Sequence, residues 1–212
     1  MPIPPLQPNF GTEIIYSIVV LTICLMIYFE VNKFFKLTEY KGISYFQNTF
    51  LFFAIAYFFR FLAKPVVRSL FSIRMYFFNT IILLVFIYAS CVAVFYLVYS
   101  LVWKKFGVVN GEILIHLIAV VIALIVLLTG NVLFFIVVNI VLLIYALVVV
   151  FLERKNKKFK MYFIYLLLVI FSILNIIDIL VPNFIFGLQL WIYIFSIVVF
   201  LILLYKVLKE IK

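Results

Sequence analysis

Residues 111–151 read GEILIHLIAVVIALIVLLTGNVLFFIVVNIVLLIYALVVVF. From Ile113 to Leu128 only His116 interrupts the apolar run, and from Val132 to Phe151 only Asn139 and Tyr145 do. Each run is apolar on every side and long enough to cross a hydrocarbon layer, which takes about 20 helical residues. A membrane-spanning strand would be about 10 residues long and alternate polar with apolar. Lipid also offers no partner for an open backbone, so each run must be a helix that satisfies its own amides. With only Thr129 and Gly130 between them, the two helices must be antiparallel neighbours.

The rest of the chain has the same character. Of its 212 residues 70% are hydrophobic and 11% charged, with a mean hydropathy of +1.40. An ordinary soluble domain is about 45–50% apolar and about 25% charged, so the polar residues here cannot cover a water-facing surface. Seven segments of spanning length follow, at about 13–31, 45–62, 76–103, 112–128, 131–151, 161–180 and 184–205. The expected fold is an all-α integral membrane protein, a single domain over 1–212 built as a seven-transmembrane-helix bundle. Seven crossings leave no room for a soluble catalytic domain. The stretch before Glu13 has four prolines and no basic residue, unlike a signal peptide, so the first span is expected to be retained.

The net charge of +10 is explained by topology rather than by a nucleic-acid partner. With the N-terminus outside, the inner loops hold Lys33, Lys36 and Lys41, then Lys104 and Lys105, then Arg154, Lys155, Lys157, Lys158 and Lys160, and finally Lys206, Lys209 and Lys212. That is thirteen of the 17 basic residues. The positive-inside bias therefore puts the N-terminus outside, the C-terminus in the cytoplasm and the chain in the cell membrane as a multi-pass protein. The second loop, 63–75, is basic on the wrong side, and it reads as an outer amphipathic segment with Phe71 and Ile73 dipping into the headgroups. An odd span count with a short central link also invites a three-plus-one-plus-three repeat, in which spans one to three and five to seven are parallel copies.

Polar groups inside a span are costly and are the first functional candidates. Arg60 and Asp178, both near the outer ends of outward-running spans, are placed to form an ion pair. The competing reading carries more weight: Arg60 snorkels to the headgroups, while Asp178 with Asn175 finishes a helix before Pro182. Glu112 and His116 stand one turn apart on one helix face, an arrangement able to bind a metal or pass a proton. Two ligands are too few for zinc and no second histidine exists, so no metal is expected and an interhelical hydrogen bond is preferred. Asn139, near mid-span, is expected to bond across helices. Cys24 and Cys91 read as small buried hydrophobes. Ala89, Ala93, Ala119 and Ala123 mark where helices approach closely.

Several functions are absent from the sequence. No lysine lies within the seventh span to hold retinal, and no Walker loop, dinucleotide glycine pattern or serine elbow appears. No cofactor and no enzymatic activity are expected. All six prolines fall outside the spans, so the helices should be continuous, which counts against a broken-helix transporter.

Tyr40 to Phe46 (YKGISYF), followed by Asn48, Phe50, Phe52, Phe53, Tyr57 and Arg60, resembles the second span of the seven-helix sensory regions that precede histidine kinase modules. The resemblance implies a sensory or receptor-like membrane protein without its own output domain. It would take an apolar or small ligand from the outer side and signal to a separate cytoplasmic or membrane protein partner at Arg154 to Lys160. The alternatives are a small transporter or channel, with Arg60, Asp178, Asn139 and His116 along the path, and a structural subunit of a membrane complex. In every case the lipid bilayer is the surrounding partner.

Overall fold

A computed structural model describes residues 10–63, 75–106, 111–129, 132–154, 162–180 and 186–211. The second loop and the Lys155, Lys157, Lys158 and Lys160 hairpin lie outside these residues. All the described structure is helical apart from the link at 39–40. It comprises α1 (Phe10–Thr38), α2 (Lys41–Ala63), α3 (Met75–Phe106), α4 (Gly111–Thr129), α5 (Val132–Arg154), α6 (Tyr162–Leu180) and α7 (Phe186–Ile211). Every expected span has its helix. The helices run beyond several expected ends, because the hydrogen-bonded ladder continues past the apolar stretch into polar residues such as Lys33 and Lys36 in α1. Six helices are long and apolar enough to cross a membrane, and in α6 the apolar stretch Phe163–Asp178 is shorter. The chain is a polytopic membrane protein.

The turn from α1 to α2 shows how tightly neighbours are joined. Glu39 adopts a left-handed φ of 51°, and its amide donates to Phe35 O at 2.8 Å, ending α1. Gly42 then lets α2 start against two rings: a Cβ there would lie 2.6 Å from Trp103 Nε1 and 2.7 Å from the Tyr40 ring.

Successive helices are antiparallel. The start of α1 meets the end of α2 at Glu13 and Arg60, the start of α2 meets the end of α3 at Tyr40 and Trp103, and the start of α6 meets the end of α7 at Phe163 and Lys206. Among the described residues the main contacts pair α1 with α2 and α7, α2 with α3, α3 with α5, α5 with α6, and α6 with α7, which closes a ring of six. Helix α4 stands outside it, against α3 and more lightly α5. Within the ring the pairing is kept when α1, α2 and α3 are exchanged for α5, α6 and α7, as in any ring of six, but α4, packed on α3 and α5, does not follow the exchange.

Two apolar cores fill the bundle. One joins α1, α2, α6 and α7 around Phe46, Phe50, Phe171 and Phe200; the other joins α3, α4 and α5 around Ile87, Cys91, Ala119 and Phe135. Ala89, Ala93, Ala119 and Ala123 are all buried, as are Cys24 and Cys91. The outward faces stay apolar, with Leu117 58% exposed and Trp191 71% exposed, as lipid contact requires.

Candidate functional site

Arg60 projects from the last turn of α2 toward two other helices. Its guanidinium donates to Asp178 Oδ2 on α6 and lies 3.5 Å from Glu13 Oε1 on α1. The ion pair is therefore made, and the snorkelling reading of Arg60 is corrected: its side chain is 11% exposed and that of Asp178 2%. The physical reason is that Asp178 is buried inside the bundle within reach of the guanidinium. A buried charge there must be paired.

Tyrosines enclose the pair. The guanidinium carbon lies 5.7 Å from the Tyr16 ring centre and 5.8 Å from that of Tyr57, within cation–π range. Tyr16 Oη and Tyr57 Oη are 3.0 Å apart, and Tyr57 Oη donates to Asn175 Oδ1 on α6. Tyr16 stacks on Tyr193 of α7, with ring centres 4.3 Å apart. From α7, Gln189 Nε2 donates to Asp178 Oδ1 at 3.3 Å and to Tyr193 Oη at 2.9 Å. Four helices thus contribute to one charged network at the N-terminal face.

Below this network lies a cavity of about 40 Å³ between α2, α3, α5 and α6. The surface it exposes is almost wholly apolar, from groups such as Phe53, Phe86, Val94 and Phe135, although Tyr57, Arg60, Ser90, Asn139, Ser172 and Asn175 are also among its lining residues. The bond shown for Asn139 is not interhelical as expected: its Nδ2 donates to Phe135 O one turn back, at 2.8 Å. The carbonyl one turn back lies within reach of a short polar side chain on a helix, so the amide folds onto its own backbone. On the far side of the cavity Ser100 Oγ of α3 and Tyr165 Oη of α6 are 3.0 Å apart.

A protein of Archaeoglobus fulgidus, described only as uncharacterised, is 32% identical over an alignment of 230 residues that takes in 98% of this chain and 96% of that one. This chain belongs to the same family. The match runs nearly from end to end in both members, and the relative's description names no activity to carry over. No family model matches, and no solved structure does.

The remaining sequence candidates of this family member fall elsewhere. His116 on α4 is held outside the ring, with Tyr88 Oη at 2.8 Å from Nδ1 and Tyr96 Oη at 3.0 Å from Nε2. Phe52 packs against its ring at 5.5 Å. These are the interhelical bonds expected of it, and they remove His116 from the set that includes Arg60 and Asn139. Glu112, at the start of α4, is exposed and is a hydrogen-bond partner of Tyr45 on α2. No group of three metal-ligating side chains is found among the described residues.

Sequence reading missed Glu13, Tyr16, Tyr57, Tyr193 and Gln189 as site members. Glu13 looked like a span boundary, and a chain with 14 tyrosines and 27 phenylalanines gives no one tyrosine distinction. The spacing of Gln189 and Tyr193, one turn apart on α7, was the available signal.

Proposed function

We propose that this protein is a small carrier of the cell membrane, in which α1–α3 and α5–α7 rock against one another around the cavity between them. The observation that carries this reading is the cavity's position between two polar latches that cross the same seam. On the N-terminal face Arg60 reaches Asp178 and Tyr57 reaches Asn175, and on the opposite face Ser100 meets Tyr165. Continuous helices suit rigid-body rocking, which needs no broken backbone at the binding site. The distribution of basic residues supports an outward N-terminal face, and no chemical change of the solute is required.

Proteoliposomes test the reading. Solute-driven flux should be present with the native protein and fall when Asp178→Asn weakens the charged latch; equal flux in protein-free vesicles would remove it.

A receptor is the second reading. It is favoured by the stretch resembling sensory seven-helix regions, because that stretch supplies Tyr57 and Arg60 to the site. The basic hairpin from Arg154 to Lys160 would then face a cytoplasmic partner. Saturable ligand binding without flux, together with recovery of a partner protein that is lost when the hairpin lysines are replaced, would favour it over the carrier.

A further inference from the structure

We infer that the cavity between α2, α3, α5 and α6 is a binding site for a hydrocarbon chain, and that its occupant is the end of a bilayer lipid's acyl chain. The inference names the cargo class of the carrier reading and rests on that reading for its use; the binding itself rests on the cavity's own chemistry.

The contacts of α2 with α6 divide the ring of six into two compartments. Between α1, α2, α6 and α7 the space is filled, with Phe46, Phe50, Phe171 and Phe200 wholly buried. Between α2, α3, α5 and α6 it is not, and there α2 and α3 contribute the small side chains of Ala56 and Ser90. The gap is about 40 Å³ and only partly enclosed. At roughly 10–15 Å³ for each water-sized group it has room for about three or four carbons. A chain can therefore enter by its end while the rest of it stays outside.

What a guest touches inside is carbon. Phe53, Phe86, Val94, Phe135 and Ile176 line the gap, and its exposed surface is almost wholly apolar. The polar lining residues have turned their groups to other partners. Asn139 Nδ2 donates to Phe135 O and Ser172 Oγ to Leu168 O at 2.9 Å, Tyr57 Oη donates to Asn175 Oδ1, and the Arg60 guanidinium is held by Asp178 and Glu13. Water needs two to four polar partners in such a space, and a polar guest would give up its hydration for little return. A methylene chain gives up nothing polar. Because lipid tails are as apolar as the cavity wall, its gain comes from dispersion: it supplies partner atoms to rings that otherwise face a void. The chain of a surrounding lipid is also the apolar guest that a polytopic membrane protein meets most often.

Photo-crosslinking of the full-length protein in phosphatidylcholine nanodiscs tests the assignment, the probe being a phosphatidylcholine with a diazirine at the end of one acyl chain. Phe53, Val94 and Phe135 are 4%, 3% and 4% exposed, so a lipid that stays outside the bundle does not reach them, whereas Leu117 on α4, 58% exposed, reports the outer surface. The expected result is adducts at the cavity residues as well as at Leu117. Ala56→Leu, which fills the gap, should lower the cavity adducts several-fold and leave those at Leu117 unchanged. Ser90→Val gives a second reading should Ala56→Leu fail to fold. Adducts at Leu117 alone in the native protein, or cavity adducts that survive both fillings, would overturn the assignment. A diazirine-bearing fatty acid that labels the cavity where the phospholipid does not would overturn the bilayer as the source. Xenon entering the cavity, seen by xenon NMR, in a protein that gives no cavity adducts would overturn the chain in favour of a small apolar molecule. Cavity adducts without protein-dependent movement of phospholipid between the leaflets of proteoliposomes would instead remove the cargo role and leave the site.

Discussion

Arg60 is the one described cation that reaches across the seam at the N-terminal face, and it answers two carboxylates from two different helices. Breaking a buried pair leaves a charge without compensation, so Arg60→Met and Asp178→Leu should each lower stability by about 3–5 kcal/mol, whereas the double variant should lose far less than the sum. Thermal unfolding in detergent measures this, and additive losses would show that the two groups do not interact. Gly42 offers a test of packing at the other face. A methyl group there meets Trp103 and Tyr40 at under 3 Å, so Gly42→Ala should cost about 1–3 kcal/mol by overpacking, read as a lower midpoint in the same melt. Both residues of the ion pair were legible in the sequence as intramembrane charges. Their pairing was not, because spacing along one helix says nothing about which face of another it meets. The tyrosines were hidden for a different reason: an aromatic side chain serves core, interface and cation recognition alike, and only the position of Arg60 separates Tyr16 and Tyr57 from the rest.

At the level of the helices, α2 and α6 meet at a constant offset. Phe53 packs on Phe171, Tyr57 bonds Asn175 and Arg60 bonds Asp178, each pair separated by 118 positions. Two parallel helices in fixed register form a seam whose upper part is polar and whose lower part is aromatic. Loosening the top should open the cavity from above alone. Ser172, buried on the cavity wall, is a suitable reporter as Ser172→Cys in a chain whose native Cys24 and Cys91 are buried. Asp178→Asn should raise the rate at which a membrane-impermeant thiol reagent modifies it from the N-terminal face several-fold, and Tyr165→Phe should do so from the opposite face. Identical rates in both variants would separate the latches from access. The helices themselves were easy to read because an apolar run of about 20 residues has few alternatives in lipid. Their neighbours were harder: the short links fix sequence-adjacent pairs only, and the contact of α3 with α5 past α4 leaves no mark in the loops.

Over the whole molecule, ion pairs and ring contacts fix which ends share a face. Glu13, Arg60, Asp178 and Gln189 gather at one, while the ends carrying Lys33, Lys36, Lys41, Lys206 and Lys209 lie at the other. A bundle with this asymmetry has a preferred sense of insertion, because cytoplasmic loops retain lysine and arginine. On the proposed carrier reading with the N-terminus outside, the charged network faces outward and a solute from outside meets the Arg60 latch first, with the Ser100–Tyr165 bond as the inner closure. The expected outcome for Lys155→Cys, in a chain with Cys24 and Cys91 replaced by alanine, is no reaction with an impermeant maleimide on intact cells and full reaction after permeabilisation. A cysteine placed at Gln7 should behave in the opposite way. If both react on intact cells, the number of crossings between them is even rather than odd. If the two patterns are exchanged, the seven helices stand but the sense reverses: the charged latch becomes the cytoplasmic gate, and solute would enter past Tyr165 toward Asn139 before it meets Arg60.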